Sequence, residues 1–226
     1  MVTRYSALFA AFLLPVSATT VYTNFSAGNT FDLNSGFFLG NNTSGGNVIA
    51  LAQQFTPTDN FTLNQIDVAF FAITTPPHNE LTLSIDDDNG GLPGVVLESF
   101  DLTNAFGRNQ IDTATSVVQP LLVDGSNYWI VASFTNPTST QDHAVWNFSN
   151  NSSATFSPSA FSTDNGITWT PSGQTTQMSV FDVLGTSSEV PEPGPASLVG
   201  TGLLLLAGLG VWRRRTAPKL PGFHAI

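Results

Sequence analysis

Short runs of β-branched and aromatic residues, separated by clusters of turn-forming residues, fill most of this 226-residue chain. One such run is Phe61–Ile73, within which Ile66, Val68 and Phe70 are spaced two residues apart, with a polar or small residue in each gap. A period of two places alternate side chains on opposite faces of a strand, so one face looks inward and the other meets solvent. Similar runs cover residues 81–85, 95–102, 116–123, 128–134 and 177–184. The pattern therefore predicts a fold built from strands.

Turn-forming residues occupy the gaps between these runs. Gly, Pro, Asn and Asp are concentrated in residues 75–78, 86–94, 124–127 and 136–137. No convincing amphipathic helix pattern lies between residues 19 and 185. Short strands at regular spacing predict an all-β domain, an antiparallel β-sandwich of jelly-roll-like form, and favour it over a closed barrel.

The charged residues are distributed unevenly. All 16 acidic residues lie between Asp32 and Glu192, where Arg108 is the one basic residue, so the 16 acids against one base leave a formal charge of −15 in that span. Such a surface repels phosphate backbones, so we expect no nucleic-acid partner. The chain has no cysteine, which excludes disulfides, a thiol nucleophile and a cysteine-ligated metal site.

Residues 1–18 have the composition of a signal peptide. Arg4 supplies the positive charge, residues 5–14 the apolar section, and residues 16–18 (Val-Ser-Ala) a small-residue cleavage site. The apolar section is short for a membrane span, although a retained anchor is an open alternative. We therefore expect an exported protein.

The C-terminal forty residues follow a three-part order of extended spacer, apolar run and basic stop. Prolines in the spacer fix φ and disfavour helix in the residues that precede them. The apolar run, residues 196–212, would span roughly 25 Å as a helix, the short end of what a bilayer core needs. The spacer motif is Val190, Pro191, Glu192 and Pro193, and the basic membrane stop is Arg213, Arg214 and Arg215.

This three-part order resembles the PEP-CTERM sorting signal of Gram-negative bacteria. The resemblance implies that exosortase, a membrane transpeptidase, recognises the Pro-Glu-Pro motif and removes the tail near it. The 11 residues after the arginines depart from the family, whose members end at or soon after the basic cluster. The alternative is a plain C-terminal anchor that is never cleaved.

The expected organisation has five parts: a signal peptide (1–18), a β-sandwich ectodomain (19–185), a Pro/Gly/Ser linker with the sorting motif (186–195), a single transmembrane helix (196–212) and a basic cytoplasmic tail (213–226).

The densest acidic cluster is Asp86, Asp87 and Asp88, followed by Asn-Gly-Gly. Three carboxylates on one loop are a candidate Ca²⁺ site, although the twelfth position of an EF-hand loop would fall on Leu97 instead of a glutamate. A solvated hairpin turn is the favoured alternative. Residues 92–99 resemble a segment of bacterial extracellular sandwich domains of the "choice-of-anchor" type, which carry interchangeable surface anchors.

Ser162, Asp164, Gly166 and Trp169 match the pattern S-x-D-x-G-x-x-W. This resembles the Asp-box of sialidases and other β-propellers, in which the Asp caps a small hairpin, the Gly takes positive φ and the Trp packs beneath. The motif occurs once here, so a stabilised hairpin is favoured over a propeller.

Tyr128 and Trp146 are candidates for an exposed platform on which a sugar ring could stack, with core packing as the alternative. Enzymatic interpretations find little support. His78 and His143 lie in no metal-ligand or triad-like pattern, and no G-x-S-x-G, H-E-x-x-H or phosphate-binding glycine loop is present.

The sequence therefore predicts a non-enzymatic protein without a cofactor. We expect it first as an inner-membrane-anchored intermediate and then at the cell surface or outside the cell. The sorting-signal resemblance implies exosortase as a partner and an association with exopolysaccharide and biofilm. A carbohydrate-binding module, with or without Ca²⁺, is the alternative, and a glycosidase-like enzyme is a more distant one.

Overall fold

The structure is a computed structural model that describes residues 18–42, 46–72, 80–103, 110–137, 142–152, 156–173 and 177–188. Most of the predicted signal peptide, the sorting motif, the apolar run and the basic tail lie outside these residues. Among the described residues there is no helix long and apolar enough to cross a membrane.

The described residues form fourteen strands. They are β1 (Thr19–Thr23), β2 (Gly36–Asn42), β3 (Asn47–Phe55), β4 (Phe61–Val68), β5 (Phe70–Ala72), β6 (Glu80–Asp88), β7 (Pro93–Thr103), β8 (Asp112–Thr115), β9 (Leu121–Leu122), β10 (Tyr128–Phe134), β11 (His143–Asn147), β12 (Ser159–Ser162), β13 (Thr170–Pro171) and β14 (Phe181–Ser187). The all-β prediction is therefore confirmed for this part of the chain.

The strands pair into two curled antiparallel sheets with a sandwich-like arrangement. The smaller sheet has the order β1-β14-β4-β8, and β9 also pairs with β4. The larger sheet has the order β5-β11-β2-β3-β10-β6-β7, with β12 on β3 and β13 on β12. Because β14 lies between β1 and β4, the first and last described strands are neighbours.

One large apolar core lies between the sheets. The smaller sheet contributes Ile66 and Val183, and the larger sheet contributes Leu83, Ile85 and Ile130, all fully buried. The alternation predicted for residues 81–85 is confirmed because Leu81, Leu83 and Ile85 all join this core. A smaller cluster covers the opposite face of the larger sheet; this outer cluster contains Ala52, Trp129, Val131 and Ala160, with Leu92 and Trp169 packed against it.

Three sequence-based strand boundaries need correction. The apolar run that begins at Phe61 breaks at Ala69, because β4 belongs to the smaller sheet and β5 to the larger one. Residues 116–120 form a turn rather than a strand, and the preceding strand is Asp112–Thr115. The last strand, β14, extends to Ser187, two residues into the predicted linker.

Candidate functional site

The predicted calcium ligands lie at the end of β6, before its hairpin connection to β7. Successive side chains of a strand point to opposite faces. Asp86 and Asp88 point to the face of the outer cluster, where Trp129 is the cross-strand partner of Asp86. Asp87 lies opposite Tyr128, whose ring belongs to the inter-sheet core. The strand geometry therefore separates the three carboxylates instead of converging them.

Hydrogen bonds within the sheet and the hairpin already occupy these carboxylates. Asp88 Oδ1 accepts from Trp129 Nε1 at 2.8 Å and from Gln54 Nε2 at 3.0 Å, and its Oδ2 accepts from Gly91 N at 3.0 Å. Asp87 Oδ1 accepts from Val95 N at 2.5 Å. The bonds from Gly91 and Val95 close the β6–β7 hairpin, and those from Trp129 and Gln54 tie its end to the rest of the larger sheet.

Asp86 is the buried member of the three, with 4% of its surface exposed. Burial raises its pKa to about 6; the hydrogen bond from Ser84 Oγ opposes this shift, and the charge of Asp87 adds to it. Among the described residues, no group of three or more His, Asp or Glu side chains is placed to hold a metal ion. The arrangement does not support a calcium site at Asp86, Asp87 and Asp88 and fits the structural turn, in which Gly90 and Gly91 both have positive φ.

The Asp-box segment folds as the predicted hairpin between β12 and β13. Ser162 Oγ accepts from Gly166 N at 2.8 Å and donates to Asp164 Oδ1 at 2.6 Å. Asp164 also accepts from the backbone and hydroxyl of Thr168. The hydrogen bonds from Ser162 and Thr168 lower the pKa of Asp164 to about 2. Gly166 has a φ of 91°, and Trp169 packs against the outer cluster, so each expected role is confirmed.

The hairpin also attaches to the larger sheet through Asn165. Its side-chain amide donates to Phe134 O at 2.8 Å and its Oδ1 accepts from Phe134 N at 3.0 Å. Its backbone N donates to Val48 O at 2.8 Å. One asparagine therefore pairs with β10 as a strand would, which makes the Asp-box a structural connection.

The two rings proposed as a sugar platform are buried. Trp146 has no exposed surface, and its Nε1 donates to Val180 O at 2.8 Å. Tyr128 is 6% exposed, and its hydroxyl accepts from Val123 N at 2.9 Å. Neither ring offers a face to a ligand, so the prediction of an exposed platform on these two residues is wrong, and core packing is their role.

A half-open apolar cleft of about 190 Å³ lies beside β3 and β12. Phe37, Leu51 and Phe161 supply its apolar wall. Ser159 and Ser172, hydrogen-bonded to each other, supply hydroxyls. A cavity of roughly 150 Å³ accommodates benzene, so this cleft fits one small ring or a short alkyl chain and not an extended saccharide.

Asp112 on β8 is a buried carboxyl that the sequence analysis did not single out. It is 3% exposed; Oδ1 accepts from Gln110 Nε2 at 2.9 Å, whereas buried Oδ2 has no hydrogen-bond partner. Burial raises its pKa to about 7, an effect that the bond from Gln110 only partly opposes. No local sequence signal distinguishes it from an exposed strand carboxylate.

We expect the free energy of unfolding to fall as pH rises from about 4 to 7, and Asp112→Asn to remove part of that loss. Well below pH 4 the carboxyl is protonated in both the folded and unfolded states. At higher pH the unfolded carboxyl ionises freely, whereas the folded one is held in a site that disfavours its charge. Urea unfolding between pH 4.5 and 7.5 measures the slope, with exposed Asp124→Asn as the matched control. Equal slopes for wild type and Asp112→Asn would contradict the assignment.

The remaining candidate residues are not brought together. His143 lies on β11 with its ring centroid 5.6 Å from that of Phe38. His78, the Pro-Glu-Pro motif and the three stop arginines lie outside the described residues.

Comparison of the chain with protein-family models and with curated proteins gives no match.

Proposed function

We propose that this chain is an exported, non-enzymatic protein of the envelope or extracellular matrix of a Gram-negative bacterium, sorted by exosortase at its Pro-Glu-Pro motif. The observation that carries the proposal is the order of Val190 to Pro193, the apolar run at 196–212 and the three arginines. A signal-peptide-like N-terminus supports it, because a surface-sorting signal requires export. In this proposal the protein is first attached to the membrane as an intermediate, and the mature protein is then surrounded by exopolysaccharide.

The charge of the described body supports a role in a hydrated matrix. Fourteen of the 16 acidic residues belong to the described part of the chain, and no Lys or Arg does. A body with charge of one sign resists self-association and stays soluble. We further propose that the body is a jelly-roll-like sandwich of the choice-of-anchor type. Its two antiparallel sheets, whose consecutive strands cross from one sheet to the other, support this proposal.

The burial of Tyr128 and Trp146 counts against the carbohydrate-binding alternative in the form that the sequence suggested. The dispersal of the acidic cluster counts against its calcium-dependent version. An adhesive or space-filling module needs neither feature.

The intact mass of the mature protein tests the proposal. In a host with a matching exosortase, we expect wild type to lose the residues that follow the motif, and the same strain without exosortase to retain them. Pro191→Ala with Pro193→Ala should block the loss. Pro218→Ala with Pro221→Ala, two prolines beyond the arginines, is the matched control and should be processed like wild type. Identical masses in the two strains would identify a plain, uncleaved anchor instead.

A further inference from the structure

Two carboxylates face each other across the smaller sheet. Asp182 on β14 lies directly opposite Asp67 on β4. Thr23 on β1 pairs with Asp182 from the other side, and Thr113 on β8 pairs with Asp67. Cross-strand partners have Cβ atoms about 4.5–5.5 Å apart, and like charges placed there destabilise a sheet. This row of four side chains therefore needs a compensating interaction.

The row lies on the face of the smaller sheet that points away from the inter-sheet core. The residues flanking the two carboxylates, Ile66 and Val68 on β4 and Phe181 and Val183 on β14, all belong to the core. Asp67 is half-buried on the outer face, and Asp182 is 9% exposed. Asp67 is thus the more exposed member of the pair.

The hydrogen bonds of the pair leave one buried oxygen without a partner. Asp67 Oδ1 accepts from Gln65 Nε2 at 2.8 Å and from Thr113 Oγ1 at 2.7 Å. Asp182 Oδ1 is buried and has no hydrogen-bond partner. The backbone of Val183 also donates to the Asp182 carboxylate, and Oδ1 is the buried atom left without a partner.

No positive side chain of the described part neutralises the pair. Its residues include no Lys or Arg, and their single histidine, His143, lies on β11 in the other sheet. Burial, and next to it the charge of Asp67, raises the pKa of Asp182 to about 6. At neutral pH the Asp182 carboxylate therefore carries its charge at an energetic cost.

We propose that Asp67 and Asp182 form a binding site for one hard divalent cation that bridges β4 and β14. Asp182 offers its unpartnered oxygen, and Asp67 offers the carboxylate oxygen that is not held by Gln65 and Thr113. Mg²⁺ and Ca²⁺ prefer such oxygen ligands, and with only two protein carboxylates water completes the coordination shell. The bound cation removes the repulsion between the two carboxylates and links β14, the last described strand, to β4. The site is independent of the proposed sorting by exosortase.

Thermal unfolding of the full-length chain in detergent, freed of metal by chelation, tests the site at pH 7.5. CaCl₂, MgCl₂ and MnCl₂ are added in separate titrations, with NaCl at matched ionic strength as the control. We expect a saturable rise in Tm of roughly 5 °C for at least one divalent cation. No rise beyond the NaCl control at pH 7.5 would overturn the proposal.

Asp67→Asn and Asp182→Asn should each abolish the cation-dependent rise, whatever they do to the Tm of the metal-free protein. Asp87→Asn, in the acidic turn, is the matched control and should keep it. An equal rise in the Asp67 and Asp182 variants would place the ion elsewhere and contradict the site. If either variant fails to fold, NMR line broadening by Mn²⁺ in the wild-type protein decides the question. The amide signals of Thr23 and Thr113 should broaden first. Broadening centred on other residues would contradict the site.

Discussion

Trp146→Ala should lower the free energy of unfolding by about 3–5 kcal/mol, the range for removing a fully buried large aromatic ring. The Trp146 side chain has no exposed surface, and its ring centroid lies 5.3 Å from that of Phe70 and 6.5 Å from that of Phe181. The substitution opens a cavity between the sheets. It also deprives Val180 O of the indole donor.

Urea unfolding at pH 7 measures this loss. Trp146→Phe keeps most of the ring and should cost less than the alanine variant, because only the hydrogen bond and part of the volume disappear. Trp169→Ala, a half-buried ring of the Asp-box hairpin, is the control for an aromatic residue outside the inter-sheet core. A loss below about 1 kcal/mol for Trp146→Ala would contradict its position in the core.

Asn24→Ala should lower the free energy of unfolding by about 2–4 kcal/mol, because it leaves two buried backbone groups without partners. Asn24 has no exposed surface; its Nδ2 donates to Ser179 O at 2.7 Å, and its Oδ1 accepts from Phe181 N at 2.7 Å. The amide thus pairs with the chain at the start of β14 as another strand would.

Amide hydrogen exchange at Phe181 gives a second, local measurement for Asn24→Ala. We expect faster exchange there and a smaller change in the middle of β10. Asn34→Ala, an exposed asparagine on the following loop, should change stability by less than about 0.5 kcal/mol. Unchanged exchange at Phe181 would show that this amide does not hold the strand end.

Two kinds of strand could be predicted: those that alternate apolar and polar residues, and those with a continuous apolar run. In β6, Leu81, Leu83 and Ile85 alternate with Thr82 and Ser84, and a period of two is visible without tertiary information. The run at 128–134 coincides with β10, whose continuous apolar sequence fits burial on both faces.

The turn at residues 116–120 could not be predicted, because a distant side chain fixes it. Glu98 on β7 accepts from Ser116 Oγ at 2.5 Å, from Val117 N at 2.6 Å and from Val118 N at 2.9 Å. Burial raises the pKa of Glu98, but these hydrogen bonds outweigh it and leave the pKa lowered. Val117 and Val118 suggest a strand locally, yet both side chains are exposed.

β2 was not among the predicted strands, because its sequence, Gly-Phe-Phe-Leu-Gly-Asn-Asn, has no period of two and contains residues typical of turns. Gly36 and Gly40 instead permit the close approach of β11. A Cβ on Gly36 would lie 2.2 Å from Trp146 O, and one on Gly40 would lie 2.1 Å from Asp142 O. Only a partner strand that is remote in sequence makes this requirement visible.

Candidate sites that depend on local sequence could be predicted, whereas those that depend on contacts between strands remote in sequence could not. The Asp-box is local, so its hydrogen bonds and positive φ followed from the motif. The exposure of Tyr128 and Trp146 depends on which sheet covers them, and the pairing of Asp67 with Asp182 depends on register between strands far apart in sequence. Neither property is present in a local pattern.

The central position of β14 has a mechanical consequence. Antiparallel ladders flank it on both sides, from Thr19–Thr23 and from Phe61–Val68. A pull applied at Ser187 along the strand axis must shear both ladders at once, whereas an edge strand could be peeled from a single neighbour. Single-molecule extension from this end should therefore meet a higher rupture force than extension from Thr103, at the end of the outermost strand of the larger sheet.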